Sequence, residues 1–369
     1  MSKLPPDILA QLAESAQKFI SNEYSFTHRQ ALASSTIGYS EKHWQMFADL
    51  AWLAIPFNEE HGGLGGNIAD ISGLLEQFGY GLIIEPYIST VVLAGHVLSN
   101  ANDSPLSQEL TAQIISGNVH ISLAWQERQS SANVMNIKTT ATETEDGYLI
   151  NGEKISVLNG LNADSYIISA QSQNTKTPSL FFVAADTKGL SAQHHQLYDG
   201  HRATTLQLQN VLIPKQNQLV VNAEELLKET MTVGMYALCC EALGSMEKLL
   251  EMTIEYAKIR KQFGVPIASF QALRHMISDM YVTLKKTRCL NEQIASQWVH
   301  HSPSPQDIAA LKVQTGKAAH FISRNAIQIH GGIGMTNELE VGHYVKRLTT
   351  IDGLLGNSQY HLASLANSL

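Results

Sequence analysis

Residues 256–264 read Tyr-Ala-Lys-Ile-Arg-Lys-Gln-Phe-Gly, and this stretch decides how the rest of the chain is interpreted. It ends an apolar-periodic helix with a cation at Arg260, a side-chain amide at Gln262 and an aromatic ring at Phe263. Gly264 is then the residue type that stops a helix. A guanidinium offers several fixed donors to phosphate oxygens, and a flat ring offers a stacking surface. The stretch therefore predicts a site for a phosphate-bearing ligand, although Arg260 alone would also suit a helix C-terminus, where cations are favoured.

Length and composition exclude several classes of protein. The chain has 369 residues, which favours two or three structural units. It is 44% hydrophobic, yet no run approaches the roughly 20 apolar residues that a membrane span needs. The formal net charge is -8, and this disfavours nucleic-acid binding, which needs clustered positive charge. No basic segment followed by an apolar one opens the chain, so we expect a cytoplasmic protein without a signal peptide.

The three cysteines, Cys239, Cys240 and Cys289, are expected to be small apolar residues in a reducing compartment. The first two are neighbours in a helical pattern and therefore point to different sides of the helix. No spacing of cysteines or histidines resembles a zinc site, so no metal site is expected.

The hydrophobic periodicity of the sequence changes twice along the chain, which predicts three domains and an α+β fold. Residues 1–118 show helical periodicity, interrupted by a glycine-rich loop at 62–66. Residues 119–222 have the short runs and polar turns of a small antiparallel β domain. Residues 223–369 return to long apolar stripes, which predict an antiparallel helical bundle.

Two turn signals organise the predicted β domain. Asp146-Gly147 is expected to form a turn. Residues 148–150 lead into Asn151-Gly152, a dipeptide that predicts a two-residue hairpin. Strand-like runs separated by polar turns lie at 166–170, 180–184 and 206–208.

Four motifs in order give the chain a resemblance to the acyl-CoA dehydrogenase family that covers essentially its whole length. They are the segment around Arg260, the run Gln-Ile-His-Gly-Gly-Ile-Gly at 328–334, the glycine-rich loop after Trp52, and Arg202 ahead of Ala-Thr-Thr. The resemblance implies an N-terminal helical domain, a central antiparallel β-barrel or sandwich and a C-terminal four-helix bundle. It also implies a dimer or tetramer, because flavin sites in the family are completed across subunits.

The resemblance implies FAD as the cofactor and indicates which residues hold it. Residues that match the Arg260 segment contact the phosphate and adenosine portion in the family. Those that match Gln328, Gly331 and Gly332 come from a neighbouring subunit, and glycine there lets backbone N–H groups approach the phosphates. The full set expected at the cofactor is Arg260, Gln262, Phe263, Gln271, Gln328, Gly331, Gly332, Asn357, Gln359, Gln126 and Ser131.

The chain departs from the family where a carboxylate should remove the α-proton of an acyl thioester. In most members a glutamate stands just before a Gly-Thr pair, and here that position is Leu355. In a second group the base lies on the helix that leads to the arginine, and a gapless match places Gly234 there. Two nearby carboxylates are alternative bases: Asp352, just before Leu355, and Glu241, which also reads as a polar contact between helices.

The residues expected beside the flavin ring are also replaced. The family's Thr-Glu-Pro-x-x-Gly-Ser loop corresponds to residues 126–132, which read Gln-Glu-Arg-Gln-Ser-Ser-Ala. The aromatic residue and the threonine expected after Lys154 are Ser156 and Leu158. Contacts to the adenosine portion are therefore expected to be kept, while contacts to the ring are rewritten. Alternative donors to the flavin are Gln126, Ser130 and Ser131.

These departures resemble the small subunits of heteromeric bacterial acyl-CoA dehydrogenases, such as that of pimeloyl-CoA dehydrogenase. Matching runs lie at 84–87, 240–242 and 343–352. The resemblance implies α,β-dehydrogenation of an acyl-CoA, with a larger subunit that carries the base and an electron-transfer flavoprotein that reoxidises the FAD. Two alternatives stay open: a non-catalytic scaffold or regulatory subunit, and a flavin monooxygenase or oxidase on the same fold. Whether the oligomer contains one kind of chain or two also stays open.

Overall fold

The computed structural model describes residues 3–173, 176–298 and 301–367. Helices precede and follow a block of strands, which confirms the predicted α+β class. The first helices are α1 (Pro6–Glu23), α2 (Phe26–Ser34), α3 (Glu41–Asp49), α4 (Ser72–Gly81), a π-helix (Ile88–Ala94), α5 (Gly95–Ser99) and α6 (Pro105–Ile115). The strands that follow are β1 (Ile121–Ala124), β2 (Thr140–Glu143), β3 (Tyr148–Leu158), β4 (Ser165–Ser172), β5 (Pro178–Ala184), β6 (Leu190–Gln196), β7 (Arg202–Ile213) and β8 (Gln218–Val220). The last elements are α7 (Glu224–Ile259), β9 (Lys261–Gln262), β10 (Val265–Pro266), α8 (Gln271–Gln297), α9 (Pro305–His330), α10 (Glu340–Gly353) and α11 (Ser358–Asn367).

The chain forms two compact units that cut across the three predicted segments. The changes of periodicity expected at residues 119 and 223 lie close to the first residues of β1, at Ile121, and of α7, at Glu224. Packing nevertheless groups elements that are distant in sequence, because α1 and α4 supply apolar faces to the unit that also holds α8 to α11. The helical unit contains residues 3–30, 71–83 and 235–367, and the sheet unit contains residues 31–70 and 84–234.

The sheet unit is built on one eight-stranded sheet with the order β6-β7-β3-β2-β4-β5-β8 and with β1 beside β4. Most neighbours are antiparallel, but β1 and β2 both run parallel to β4, so the sheet is mixed. β1 pairs with residues 165–168 of β4 and β2 with residues 171–172, so the two short strands share one edge. The loop between them, residues 125–139, is therefore an excursion from an interrupted strand.

One of the two predicted turns is present in the structure and the other is not. Asp146-Gly147 does form the turn between β2 and β3, and Thr144 N–H donates to Gly147 O at 2.8 Å. The hairpin predicted at Asn151-Gly152 is wrong, because β3 runs straight through both residues. A Cβ at position 152 would lie 2.5 Å from Thr139 Oγ1, so the glycine there serves a close strand contact instead of a turn.

Gly264 does not stop a helix, which corrects the interpretation of the opening stretch. α7 already ends at Ile259, and the chain then forms the small hairpin β9–β10. Phe263 and Gly264 are its two turn residues, with φ of +52° and +83°. Positive φ at both central positions is typical of a type I′ turn, which glycine adopts without steric cost. The aromatic ring of Phe263 is consequently carried at the tip of a rigid turn.

Helices α4 and α7 approach so closely that each needs a glycine at the contact. A Cβ at Gly79 would lie 1.8 Å from the carbonyl oxygen of Glu241, and one at Gly244 would lie 1.7 Å from that of Glu76. Ser245 Oγ bridges the same contact and donates to Gly79 O at 3.0 Å. Backbone meets backbone here, so a side chain can be added only if the helices move apart.

We expect Gly79→Ala to destabilise the protein by about 1–3 kcal/mol, since the added methyl group forces α4 away from α7. Gly73→Ala in the same helix is the matched control, because its Cβ would meet only Ala13 Cβ, at 3.9 Å. That variant should be neutral or slightly stabilising, as alanine is the better helix former. Urea unfolding of both variants measures the difference, and equal free energies of unfolding would contradict the close contact.

Candidate functional site

The end of α7 presents an unpaired cation and an exposed ring. In the part of the chain that the structure describes, the exposed Arg260 guanidinium has no ion pair and its backbone is fixed, since Ile267 N–H donates to Arg260 O at 2.8 Å. The Phe263 ring is 92% exposed and meets the edge of Phe270 at 6.2 Å. Exposure of an apolar ring to water is unfavourable in free energy. The tip of this turn is therefore suited to contact with a ligand or another chain.

The glycines after α9 are open on their outer side. Gly331 has φ of +69° and ψ of -149°, a conformation that residues with a Cβ avoid. Among the described residues, no heavy atom lies within 4 Å of a Cβ built at Gly331 or at Gly332. The Gly331 N–H itself donates to Ile327 O, but the lack of side chains lets a ligand approach the backbone of this turn closely.

The Arg260 segment and the Gly331 turn lie at the same end of the helical unit. The rings of Tyr256 and His330 are stacked, with centroids 4.4 Å apart and planes inclined by 28°. Tyr256 Oη also donates to His330 O at 3.3 Å. One chain thus presents a cation, a ring and an uncovered glycine turn on neighbouring segments, and this set fits the diphosphate and adenine of a dinucleotide.

Four of the side-chain amides expected at the cofactor lie in the helical unit, and all four are exposed. Among the described residues, none of these four side chains makes a hydrogen bond. They are Gln262, Gln271, Gln328 and Gln359. Asn357 differs, since its Oδ1 accepts from Tyr360 N–H at 2.8 Å and so caps the start of α11. Only its amide nitrogen stays available to a ligand.

Leu355, at the usual base position, is buried and strained. Its φ is +56°, a region that apolar side chains seldom occupy, and its side chain is 9% exposed. His361 Nε2–H donates to Leu355 O at 3.0 Å and fixes the turn. Burial lowers the pKa of His361, so it is neutral at physiological pH. The position is thus held firmly but offers no proton acceptor.

Asp352, the first alternative base, holds the start of α11. Its Oδ1 accepts from Ser358 N–H at 3.1 Å, and its Oδ2 lies 3.2 Å from His320 Nε2. α9 makes room for it, since a Cβ at Gly316 would lie 2.2 Å from Asp352 Oδ1. Lys312 Nζ donates to the Asp352 carbonyl at 3.0 Å. A base role would require these contacts to break.

Glu241, the second alternative base, forms a buried bidentate ion pair. Arg347 Nε donates to Oε1 at 2.5 Å and Arg347 Nη2 donates to Oε2 at 2.7 Å. The two residues are 4% and 5% exposed. This bidentate contact occupies both carboxylate oxygens of Glu241. It favours the interpretation that Glu241 is a polar contact between α7 and α10.

Residues 126–132, which correspond to the family's flavin loop, are held by hydrogen bonds within their own segment of the chain. Gln126 Nε2 donates to Ser131 O at 3.1 Å, so this amide braces the loop. Ser130 Oγ donates to Asn136 O at 2.9 Å. Ser131 is exposed with φ of +51°, and among the described residues its hydroxyl has no hydrogen bond. Of the three candidate donors, Ser131 is therefore the one with a free hydroxyl.

A buried ion pair anchors that loop to the sheet. Lys154 Nζ, fully buried, donates to Glu127 Oε1 at 2.7 Å and to Ser169 Oγ at 3.0 Å. Glu127 also accepts from the backbone N–H groups of Lys138 and Thr139. Burial alone would raise the pKa of Glu127, but Lys154 and these hydrogen bonds outweigh it and hold the pKa at about 2. The carboxylate is therefore an ionised anchor and not a proton acceptor.

Strand β3 is irregular where the family carries an aromatic residue beside the flavin. Its register against β7 shifts between Lys154 and Val157, and Ser156 within that shift has φ of +53°. Ser156 is exposed, and Leu158 is half-buried at the end of the strand. The local backbone is thus distinctive although the aromatic side chain is absent.

A histidine that the sequence analysis did not single out lies beside α7. His96 Nδ1 is 3.0 Å from Thr230 Oγ1, and Thr230 is one helical turn before Gly234. The signal in the sequence was a lone polar residue in the apolar run Val-Val-Leu-Ala-Gly-His-Val-Leu at 91–98. Such a residue reads as a core histidine unless its partner is known.

Family models match most of the sheet and of the C-terminal helices. The model for the acyl-CoA dehydrogenase middle domain matches residues 122–211, and that for the acyl-CoA dehydrogenase C-terminal domain matches residues 225–369. Together they cover more than half of the chain. The chain belongs to the acyl-CoA dehydrogenase family. Members of this family are oxidoreductases that act on acyl-CoA and bind FAD, which confirms the predicted enzyme class and cofactor.

Individual members of the acyl-CoA dehydrogenase family extend the similarity to nearly the whole chain. Acyl-CoA dehydrogenase IpdE2 of Mycobacterium tuberculosis is 28% identical, and the match covers 93% of this chain and 91% of that protein. The caffeyl-CoA reductase-Etf complex subunit CarC of Acetobacterium woodii is 28% identical, with 80% of each covered. The ChsE4-ChsE5 complex of Mycobacterium tuberculosis has the same fold, with a TM-score of 0.91, 22% identity and coverage of 100% of this chain and 98% of that one.

Two features are absent from the described ranges, a membrane-spanning helix and a metal-binding cluster. Within residues 3–173, 176–298 and 301–367, no helix has the length and apolarity to cross a membrane. In the same ranges, no group of three or more histidine, cysteine or acidic side chains is placed to bind a metal ion.

We expect Arg347→Met to destabilise this acyl-CoA dehydrogenase by about 3–5 kcal/mol, because it leaves the Glu241 carboxylate buried without its partner. The double variant Glu241→Leu/Arg347→Met removes both charges and should recover most of that loss. Urea unfolding of the single and double variants gives the coupling free energy. Small and equal losses would show that Glu241 is stable without Arg347, as a base at this position would have to be.

Proposed function

We propose that this chain is a subunit of an FAD-dependent acyl-CoA dehydrogenase that introduces an α,β double bond into an acyl-CoA thioester. The observation that carries the proposal is the open end of the helical unit, where Arg260, Phe263, Gly331 and Gly332 all lie exposed and, among the described residues, the Arg260 guanidinium has no ion pair. A dinucleotide supplies the phosphate charge and the ring that these groups lack. The bound flavin would supply the hydride acceptor of the reaction.

The chain's own residues would bind and orient the cofactor. Arg260 would hold the diphosphate through charge-assisted hydrogen bonds. The turn at Gly331 and Gly332 would lie against the cofactor of a neighbouring subunit, as the family resemblance implies. Gln262, Gln328 and Gln359 would complete the polar contacts. In the sheet unit, Ser131 has the hydroxyl that is free to donate to the flavin.

We propose that a larger partner subunit supplies the catalytic carboxylate. Leu355 and Gly234 have no proton-accepting side chain, and Asp352 and Glu241 are engaged in internal contacts, which leaves both as weaker candidates. The name of the ChsE4-ChsE5 complex describes an assembly of two such chains, and this supports a heteromer by analogy. The departures shared with small subunits point the same way.

The electron acceptor and the compartment follow from the same proposal. An electron-transfer flavoprotein would reoxidise the FAD, and CarC, which is named as part of an Etf complex, supports such a partner. We place the protein in the cytoplasm. All three cysteines are free, and Cys289 is exposed, which suits a reducing compartment.

The test is to identify a longer acyl-CoA dehydrogenase that co-purifies with this chain, to produce the two together and to record the flavin spectrum. Arg260→Ala should weaken FAD retention by about 10- to 100-fold, because hydrogen bonds to charged groups contribute about 1.5–3 kcal/mol. Arg274→Ala is the matched control. That exposed arginine follows the same hairpin, and among the described residues its guanidinium makes one hydrogen bond, to Ser269 O at 3.4 Å. Equal flavin content in both variants would contradict a phosphate contact at Arg260.

The same preparations separate the remaining alternatives. Full dehydrogenation by the chain alone would overturn the need for a partner. Failure to bind FAD even in the presence of the partner would favour a scaffold or regulatory subunit. Rapid oxygen consumption by the reduced flavoprotein would favour a monooxygenase or oxidase.

A further inference from the structure

A cavity of about 310 Å³ lies within the helical unit, between α1, α2, α4, α7 and α10. Its volume is at the lower end of the range for small-molecule sites, about 300–1,000 Å³. All of the residues that line it belong to the helical unit, and none of them is in the set expected at FAD. The lining combines charged groups, side-chain amides, tyrosine rings and apolar side chains.

One cation of the lining is held in place by an aromatic ring and not by a carboxylate. Lys248 Nζ lies 4.7 Å from the centroid of the Tyr80 ring and donates to Tyr80 Oη at 3.5 Å. Tyr80 Oη donates its own proton to Glu251 Oε2 at 2.6 Å. Burial and Glu251 raise the pKa of Tyr80, so the hydroxyl keeps that proton. Lys248 thus has a fixed position but, among the described residues, no ion pair.

A carboxylate that lines the same cavity also lacks an oppositely charged partner. Glu340 is in the first turn of α10, where the helix dipole stabilises its negative charge. Tyr344, one turn later on the same face, donates to the Tyr80 carbonyl and so ties α10 to the end of α4. In the described part of the chain, the Glu340 side chain makes neither a hydrogen bond nor an ion pair. Lys248 and Glu340 therefore line one cavity without pairing with each other.

This pair of unmatched charges is set in a wall that the protein partly shields from water. Lys248 and Glu340 are both partly buried. Arg29, which lines the cavity beside them, is 2% exposed, and its Nη1 donates to His343 Nδ1 at 3.3 Å. Charges that are partly removed from water without an opposite partner are costly in free energy. A ligand that carries both an anionic and a cationic group would offset that cost.

The rest of the wall indicates what else such a ligand contains. Ile20 and Phe26 line the cavity from α1 and α2, and Leu82 lines it from the end of α4. The amides of Gln17 and Gln77 line it as well, and within the described ranges neither side chain makes a hydrogen bond. A short apolar group next to the two charges would contact these aliphatic and aromatic side chains.

We propose that this cavity binds a free amino acid with an apolar side chain. The carboxylate of the amino acid accepts from Lys248 Nζ, and its ammonium group donates to Glu340. Its side chain contacts Ile20 and Phe26. Because the lining comes from five helices, the bound amino acid holds them together and stabilises the helical unit. Neither FAD nor an acyl thioester takes part, so this is a separate binding function of the chain.

The experiment is isothermal titration calorimetry of the purified protein, with any partner and cofactor that it retains. It compares L-leucine with 4-methylpentanoate, which lacks the ammonium group, and with 3-methylbutylamine, which lacks the carboxylate. L-Leucine should bind with a dissociation constant below about 1 mM. Each analogue should bind at least about 10-fold more weakly, because it loses a charge-assisted hydrogen bond. L-Valine and L-phenylalanine are titrated as smaller and larger members of the same class.

Matched variants test the two charges separately. Lys248→Met and Glu340→Gln each remove one charge and keep the approximate shape of the side chain, and each should weaken L-leucine binding by at least about 10-fold. Lys258→Met and Glu338→Gln are the controls. They change exposed residues outside the cavity, on α7 and just before α10, and should leave binding unaltered. Thermal unfolding without ligand identifies any loss of folding, and the comparison of the three ligands does not depend on the variants.

Two results would overturn the amino-acid site. One is that none of the three amino acids binds at about 10 mM, ten times the expected limit. The other is that L-leucine binds no more tightly than either analogue, or equally well to the parent protein and to folded Lys248→Met and Glu340→Gln. FAD content and dehydrogenase activity are measured on the same preparations, and a lack of either in the parent protein would bear on the proposed function alone.

Discussion

Helix α7 has to be buried along most of its length and yet end in water, and the rest of the structure depends on how this is achieved. From Tyr236 to Met246 almost every residue is buried, whereas Ile259 is 75% exposed. The buried part leaves no space for solvent, so Gly79 and Gly244 allow direct backbone contact and Arg347 neutralises Glu241. The exposed part ends where the hairpin can present its ring and its arginine.

The sequence predicted those parts of the fold that depend on local patterns. The stripes of α7 and α9, the turn at Asp146-Gly147 and the change of periodicity near Ile121 were all readable. Asn151-Gly152 and Gly264 were misread, because the same dipeptide or glycine serves a hairpin, a strand contact or a cap according to distant neighbours such as Thr139. The parallel pairing of β1 and β2 with β4 also depends on contacts far apart in sequence.

For the site, the sequence predicted which residue types are present. It could not predict which of them are already hydrogen-bonded or ion-paired within the protein. The resemblance located the Arg260 and Gly331 segments, and the structure adds that Tyr256 stacked on His330 brings them to one end. Asp352 appeared as an available carboxylate because His320 and Ser358 are invisible as partners in a linear sequence. His96 was missed for the same reason, since its hydrogen-bond partner Thr230 lies 134 residues away in the sequence.

Gly316 and Asp352 form a pair of positions whose side chains compete for the same volume. The carboxylate occupies the volume that any larger residue at 316 would need, since a Cβ there would come within 2.2 Å of Oδ1. A relative with alanine or serine at position 316 must therefore have a different residue, a rotated carboxylate or a displaced turn at position 352. Glycine at position 316 thus makes room for the carboxylate that accepts from Ser358 N–H, and a larger residue there in a homologue predicts a different contact at the start of α11.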